Sequence, residues 1–350
     1  MIPPPDSTAV IGAGIAGLAC ARALADDGRP VTVFDKGRAP GGRMASRQLT
    51  GAVVELGAQH FSVRDATFRE RVAAWQRAGV VAPWPTSVWR LTAGSASRRV
   101  DDQLRFTGTP HMSALLCHLA DGLPLHTATR IVTLERAADG WRLVSEAGTR
   151  HGPFAAVVLA LPAPQAEALA APHDAALAGA CRGIPQRACW AGWAQFEAPL
   201  PALPGLAADW QALEPAEGPL RLVTRNQTKP GRETQGESLT LLARLAWSEQ
   251  HLEEDAGSVT ARLLDALQAA LPEGITLPMP RHAGAHRWRF AQPAPPTAPG
   301  ALDFRLGRGG LALCGDAWRD ARVEDAWLSG HRLGLTMPRR HPTPHPTETA

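Results

Sequence analysis

Gly12-Ala13-Gly14-Ile15-Ala16-Gly17 is the first stretch of the chain with evident chemistry. Gly12 lets the chain turn tightly out of a strand. Gly14 lets backbone approach a pyrophosphate, and Gly17 lets a helix pack closely on the strand. The helix then presents the free N–H groups of Ile15 and Ala16 to the phosphates, with its positive dipole end behind them. Asp35 stands 23 residues past Gly12, where an acidic side chain accepts hydrogen bonds from ribose hydroxyls. The elements that must position these residues are legible too. Residues 8–12 read as a short buried strand, 15–27 as a helix ended by Gly28, and 31–34 as the next strand. This β-α-β order predicts a parallel sheet carrying the dinucleotide site.

The following segment, Asp35-Lys36-Gly37-Arg38 leading into Gly41-Gly42-Arg43-Met44, resembles the glycine-glycine-arginine turn of the amine-oxidase-like FAD superfamily. There, backbone and arginine reach the flavin side of the pyrophosphate. Glu55-Leu56-Gly57-Ala58-Gln59-His60-Phe61 resembles the same superfamily's segment beside the isoalloxazine ring. The resemblance puts Ala58 against the cofactor and Gln59, His60 and Phe61 in the substrate pocket, although for His60 a packed or exposed histidine is an equal alternative. Near the C-terminus, Leu311-Ala312-Leu313-Cys314-Gly315-Asp316 is a strand ending in Gly-Asp, followed by Arg322-Val323-Glu324-Asp325-Ala326-Trp327. The resemblance implies that Asp316 bonds the ribityl chain or a phosphate. It implies that the helix starting with Val323, Glu324 and Ala326 points its N-terminus at the flavin. Val132 completes the expected cofactor contacts.

Further along, helical spacing appears over 67–78 and 112–120, and alternation at 130–135 and 141–145 predicts a β-ribbon. Residues 157–161 read as a buried strand, 220–225 and 239–247 as strands, 256–271 and 324–335 as helices. The fold expected is α/β, a Rossmann-type FAD-binding domain with an inserted α+β substrate domain. The FAD domain is assigned to 1–75, 125–165 and 281–337, the substrate domain to 76–124 and 166–280, and a disordered tail to 338–350.

Together these stretches resemble one family, the bacterial renalase-like flavoproteins. Thr109–Leu115, Asn226–Arg232, Trp247-Ser248 with His251-Leu252-Glu253, and His286–Ala291 carry the resemblance beyond the cofactor motifs. His111 and Asp325 depart from it, standing where glycine is expected. Asp325 adds negative charge at the helix end facing the flavin, which lowers the expected reduction potential. The resemblance implies oxidation of 2- or 6-dihydro isomers of NAD(P)H, with hydride passing to flavin N5 and oxygen reoxidising the flavin to give hydrogen peroxide. Hydride transfer needs stacking and orientation rather than a strong base, and the sequence shows no nucleophilic triad or metal-ligand cluster. Trp190, Trp193 and Trp288 are candidates for an aromatic pocket, with core packing as the competing role. Arg322 is a candidate for a substrate phosphate or amide, with a solvated charge as the alternative. A flavin amine oxidase is the rival enzyme. Such enzymes typically flank the flavin with a tyrosine pair and place a lysine near N5 through water. This chain has no tyrosine, and its lysines are Lys36 and Lys229 alone. The Lys-Pro-Gly context of Lys229 reads as a turn. A non-enzymatic flavin sensor is the third reading.

Of 350 residues, 45% are hydrophobic, enough for two intermixed domains. A net charge of +3 argues against a nucleic-acid partner. Five cysteines without a C-x-x-C pair point to free thiols in the cytoplasm. Neither a signal peptide nor a membrane helix is expected, nor an obligate protein partner. None of the cysteines lies in a flavin-attachment context, so FAD is expected to be non-covalent. Acid precipitation of the purified yellow protein should leave all flavin in the supernatant. Flavin retained in the pellet would refute this.

Overall fold

A computed structural model describes residues 6–85, 87–92, 95–99, 103–203, 205–206, 210–232, 236–294 and 303–338. The first strand (Thr8–Ile11), the first helix (Ile15–Asp26) and the second strand (Val31–Phe34) form the expected β-α-β unit. They lie in a six-stranded sheet ordered Leu125–His126, Val31–Phe34, Thr8–Ile11, Ala156–Leu159, Leu311–Leu313 and Arg305–Leu306. The first five are parallel and the last is antiparallel. Side chains alternate across a strand, so the sheet feeds two cores. Val10, Val33, Val158 and Ala312 pack under the first and C-terminal helices, while Ile11, Leu159 and Leu313 face a three-stranded ribbon (Ile131–Ala137, Gly140–Ser145, Arg150–Phe154).

The second body is a seven-stranded sheet. Its order is His282–Pro293, Gln186–Phe196, Glu237–Ala243, Leu220–Arg225, Ala212–Pro215, Val88–Thr92 and Ser95–Arg99. A helix, Ala256–Ala270, buries Val259, Leu263 and Leu267 against it, and the Asp255 side chain caps its N-terminus.

Sheet membership corrects the expected domain limits. Residues 282–293, assigned to the FAD domain, pair with Gln186–Phe196 in the second sheet. Of 76–124, only Val88–Arg99 joins that sheet. Val81–Pro83 and Arg105–Gly108 pair beside Phe61–Ser62, and the helix Ala114–Ala120 buries Leu115 and Leu116 in the first helix's core. The helices Ala163–Ala170 and Ala175–Arg182 cover the first sheet, so of 166–280 the second sheet takes up the chain only from Gln186. An amphipathic helix shows one apolar face in sequence but not the sheet that receives it. The strand expected over 239–247 ends at Ala243, and Leu245–Gln250 is helical. Of the tail, Pro338 is described and its carbonyl accepts from Arg29, whereas 339–350 fall outside the described residues. Among the described residues no helix is long and apolar enough to cross a membrane.

The C-terminal helix, Val323–Thr336, lies against the first helix, and Gly330 is the point of closest approach. A Cβ at Gly330 would stand 1.9 Å from the Ala16 carbonyl oxygen. Gly330→Ala should therefore cost at least about 1–3 kcal/mol. Gly179→Ala is the control, since Gly179 sits inside a helix with nothing within 4 Å of the new methyl. It should be neutral or stabilise by up to about 1 kcal/mol. Thermal melts that rank the two variants equally would contradict this packing.

Candidate active site

The carboxyl ends of the parallel strands and the edge of the second sheet enclose a cavity of about 1550 Å³. The glycine loop forms one end. Gly12 has φ +111° and sits against the Ala160 carbonyl. Gly17 does not line the cavity. A Cβ there would lie 1.9 Å from the Gly12 carbonyl oxygen, so it serves helix–strand contact. Gly14, by contrast, has nothing within 4 Å of the place a Cβ would take and faces open space. No side chain caps the first helix, which leaves the N–H groups of Ile15 and Ala16 directed at the cavity they line.

Asp35 lines the cavity with both oxygens already engaged. Its Oδ2 accepts from Ala13 N and its Oδ1 from Gly37 N, each at 2.6 Å. A carboxylate has about four lone-pair sites, so about two remain for ribose hydroxyls. Lys36 lies beside it on the cavity wall. Gly42, Arg43, Met44 and Ala58 line the next stretch. The Arg43 guanidinium, expected at the pyrophosphate, grips Asp316 through two bonds of 2.6 and 2.7 Å. The two candidate residues thus position each other. Ala58 N donates to Arg43 O at 3.0 Å, and Gly57 admits that carbonyl where a Cβ would stand 1.9 Å away. Val132 lines the cavity from the ribbon. Gly315 has φ +144°, and its N–H donates to Ser329 Oγ at 2.9 Å, which holds the Gly-Asp turn open.

At the C-terminal helix, Val323 and Ala326 line the cavity and Glu324 does not. Successive helical residues turn by about 100°, so positions 323 and 326 share a face that 324 leaves. Glu324 is buried, and its Oε1 accepts from Arg64 N and Asp65 N at 2.7 and 2.6 Å. This corrects its placement as a cofactor contact. Asp325 is also buried. Arg319 Nε at 2.8 Å and Arg322 Nε both donate to it. The charge expected to burden the flavin end of the helix is therefore countered by two guanidiniums. Arg322 does line the cavity, and its buried Nη1 has no hydrogen-bond partner. The open space at Gly14, two uncapped helix N-termini and this orphaned donor fit the diphosphate and flavin of FAD.

Of the residues expected in the substrate pocket, Gln59, His60, Phe61 and Trp288 line the cavity. Trp288 donates its indole N–H to Leu56 O at 2.6 Å. Trp190 is in the core instead, with its indole bonded to His251 O at 3.0 Å. Strand alternation explains the error. Cys189 pairs with Trp288 and takes the cavity face, so Trp190 points through the sheet. Trp193 is likewise buried under Arg47 and does not reach the cavity.

Gln59 is the visible edge of a buried polar network that sequence reasoning missed. Its Nε2 donates to Glu55 O and Gly57 O. Its Oε1 accepts from Thr224 Oγ1 at 2.7 Å and Lys229 Nζ at 2.9 Å. Lys229, expected in a simple turn, is buried. It also donates to Asn226 Oδ1 at 3.2 Å and sits 5.4 Å from the Trp84 ring centre. Burial pushes its ammonium down to about 7, against an opposing pull from Glu55 and with help from Arg232. Glu55 is ion-paired to Arg232 at 2.5 Å and also accepts from Ser46 and Met112 N. The available signal was that Lys229 is one of only two lysines, within a stretch already noted for its family likeness.

Comparison with known proteins finds two family matches. Residues 10–75 match the "NAD(P)-binding Rossmann-like domain", and residues 87–333 match "Flavin containing amine oxidoreductase". Among solved structures, a protein of Exiguobacterium sp. 255-15 provisionally named protoporphyrinogen oxidase superposes with a TM-score of 0.74. It is 14% identical and covers 94% of this chain and 98% of that one. Cyclohexylamine oxidase from Brevibacterium oxydans IH-35A superposes with a TM-score of 0.71 at 15% identity, covering 95% and 99%. Identities this low speak to the fold. Among curated sequences, hydroxyneurosporene desaturase of Rubrivivax gelatinosus is 47% identical over 55 residues, 16% of this chain and 10% of the desaturase.

Two outcomes follow from this geometry. Gly14→Val places a branched side chain in open cavity, so it should fold with near-normal stability and lose FAD. Asp35→Ala should lose both FAD and stability, because two backbone donors lose their acceptor at about 1–3 kcal/mol each. Flavin content and melting temperature of both purified variants provide the check. The second outcome concerns pH. With Lys229 titrating near 7 when folded and near 10.5 when unfolded, the unfolded chain binds more protons between those values, and stability rises with pH across that window. The melting temperature of the native protein should therefore climb relative to Lys229→Met from pH 7 to 10. A difference that stays flat across this range would mean that the buried ammonium keeps its proton.

Proposed function

The chain belongs to the flavin-containing amine oxidoreductase family and its cofactor is FAD; within that family we propose that it oxidises isomeric dihydronicotinamide dinucleotides, the 2- or 6-dihydro forms, to NAD(P)+. The charge around the cavity carries this reading. Eight lysines and arginines line it against three carboxylates, Asp35, Glu214 and Asp316. Glu146, Glu253 and Asp325 pair with Arg130, Arg287, Arg289 and Arg322, and the FAD diphosphate offsets about two more charges, so what favours a second phosphate-bearing ligand is Arg221, which lines the cavity with no ion pair among the described residues. A protonated amine would enter against that charge. The volume agrees. A cavity of about 1550 Å³ exceeds the roughly 300–1,000 Å³ of a single-ligand pocket, leaving room beside FAD.

Bound FAD supplies the two-electron acceptor and passes the electrons to oxygen, giving hydrogen peroxide. The protein's part is orientation. Trp288, pinned to Leu56 O, and Phe61 offer rigid aromatic faces to a dihydropyridine ring. Gln59 has its amide fully engaged, so it sets one wall without turning. Hydride transfer needs the donor carbon about 3–3.5 Å from its acceptor. A ring seated for C2 or C6 holds C4 away, so ordinary NADH is expected to bind and react slowly. Arg322, whose Nη1 makes no hydrogen bond, is a donor for a substrate amide or phosphate or for the cofactor. Substrate and oxygen are the partners we assign. A cytoplasmic location is supported by the free cysteines, four of the five buried.

The amine-oxidase reading stands second because of one observation, the buried Lys229 of lowered basicity behind Gln59. Stopped-flow reduction separates the two. The dihydro isomers should bleach the flavin at least tenfold faster than 4-dihydro NADH or benzylamine. Faster reduction by benzylamine or a polyamine would transfer the assignment to amine oxidation.

A further inference from the structure

The cavity continues past Trp288 along a row of side chains that crosses the second sheet. Cys189 pairs with Trp288 in register. Leu242 lies opposite Ala191, two residues from Cys189 and on the same face, and Leu222 pairs with Leu242. Trp288, Cys189, Leu242 and Leu222 line the cavity, as do Arg221 and, on the next strand, Glu214. Neighbouring strands are about 4.8 Å apart, so three steps place Leu222 roughly 14 Å from Trp288.

Arg221 and Leu222 are adjacent in a strand, where alternation should send one of them to the far face. The register shows why both face the cavity. Leu220 pairs with Ala243 and Leu222 with Leu242, so Arg221 is the extra residue of a β-bulge. A bulge re-aims a side chain and leaves its residue outside the ladder. The aimed group is a free cation. Arg287 and Arg289 both face Glu253, at 3.4 and 2.6 Å, and Glu214 is held by Arg99 at 2.7 Å. Arg43, Arg130 and Arg322 are paired with Asp316, Glu146 and Asp325. Among the described residues Arg221 has neither an ion pair nor a hydrogen bond, and it is exposed to the cavity.

We infer that Arg221, at the end of the apolar row Cys189–Leu242–Leu222, is a specificity-determining anion subsite that takes a phosphate of the substrate distal to its redox ring. This rests on the dinucleotide reading for the substrate's identity, whereas the subsite itself rests on the bulge and the unpaired guanidinium. The apolar floor suits a ribose and ring passing over it, and the planar fork of arginine suits phosphate.

The test uses FAD-loaded protein at low ionic strength. In the first arm, inorganic pyrophosphate is titrated calorimetrically into the native protein, Arg221→Ala and Arg221→Lys. Binding should weaken at least tenfold in the alanine variant and recover in part with lysine. Equal affinities in all three, or no binding to the native protein, would overturn the subsite. In the second arm, nicotinamide riboside and NAD+ are titrated while flavin absorbance is followed. Arg221→Ala should weaken NAD+ about tenfold and leave the riboside unchanged. Equal weakening of both ligands would show a structural effect and overturn the inference. If neither nicotinamide ligand perturbs the native flavin while pyrophosphate still binds through Arg221, the dinucleotide reading fails and the subsite stands.

Discussion

Around the diphosphate, main chain has to reach within contact of main chain, and the rest of the molecule is arranged about that need. A phosphate met by backbone N–H groups requires loops with no side chains between them. Three contacts provide this. Gly17 lies on the Gly12 carbonyl, Gly57 on the Arg43 carbonyl, and Gly330 on the Ala16 carbonyl, each where a Cβ would fall 1.9 Å from oxygen. The first ties helix to strand, the second ties the flavin-side loop to the Gly-Gly-Arg turn, and the third ties the two ends of the chain together. The Arg43–Asp316 pair then closes the ring from the side-chain level. A cavity floor of this kind is rigid because any local shift meets a carbonyl.

The two sheets are joined by polar groups as well as apolar ones. Glu55, Arg232, Gln59, Lys229, Thr224 and Asn226 form a buried cluster between the glycine-bearing half and the second sheet. A buried ion pair such as Glu55–Arg232 is a weak source of net stability, since desolvation consumes most of the Coulomb gain. Its effect here is geometric. Every polar group of Gln59 is engaged, so this part of the cavity wall has one orientation. Lys229 is the labile member, because burial brings its titration down to about 7.

Charge divides the cavity into regions. At one end, the glycine loop and Lys36 line the cavity. At the helix end, Asp325 is bracketed by Arg319 and Arg322, while Glu324 of the same turn is held by the Arg64 and Asp65 backbone N–H groups. Toward the second sheet, paired arginines leave Arg221 as the free positive group among the described residues. Phosphate-rich ligands suit such a surface over its whole length.

The first helix and its flanking strands, the ribbon, the helix 256–270 and the C-terminal helix were readable because each rests on local periodicity and on glycine spacing that only one backbone geometry accepts. Gly12, Gly14, Asp35 and Asp316, singled out by the same local rules, all line the cavity. What failed was decided by faces and partners distant in sequence. Trp190 and Trp288 are chemically alike, and only the register between their strands sends one to the core and the other to the cavity. Glu324 left the site through the angular step of its helix. Lys229 reads as part of a turn, and its burial exists only because Trp84 and Gln59, far away in the chain, close over it. The domain limits moved for a similar reason, since strand 282–293 carries no mark of which sheet it joins. Local sequence determines the elements and the phosphate loop because backbone sterics act over a few residues. Burial, side-chain direction and ion pairing arise from contacts between distant segments, so the substrate wall and the free Arg221 appear only in the folded chain.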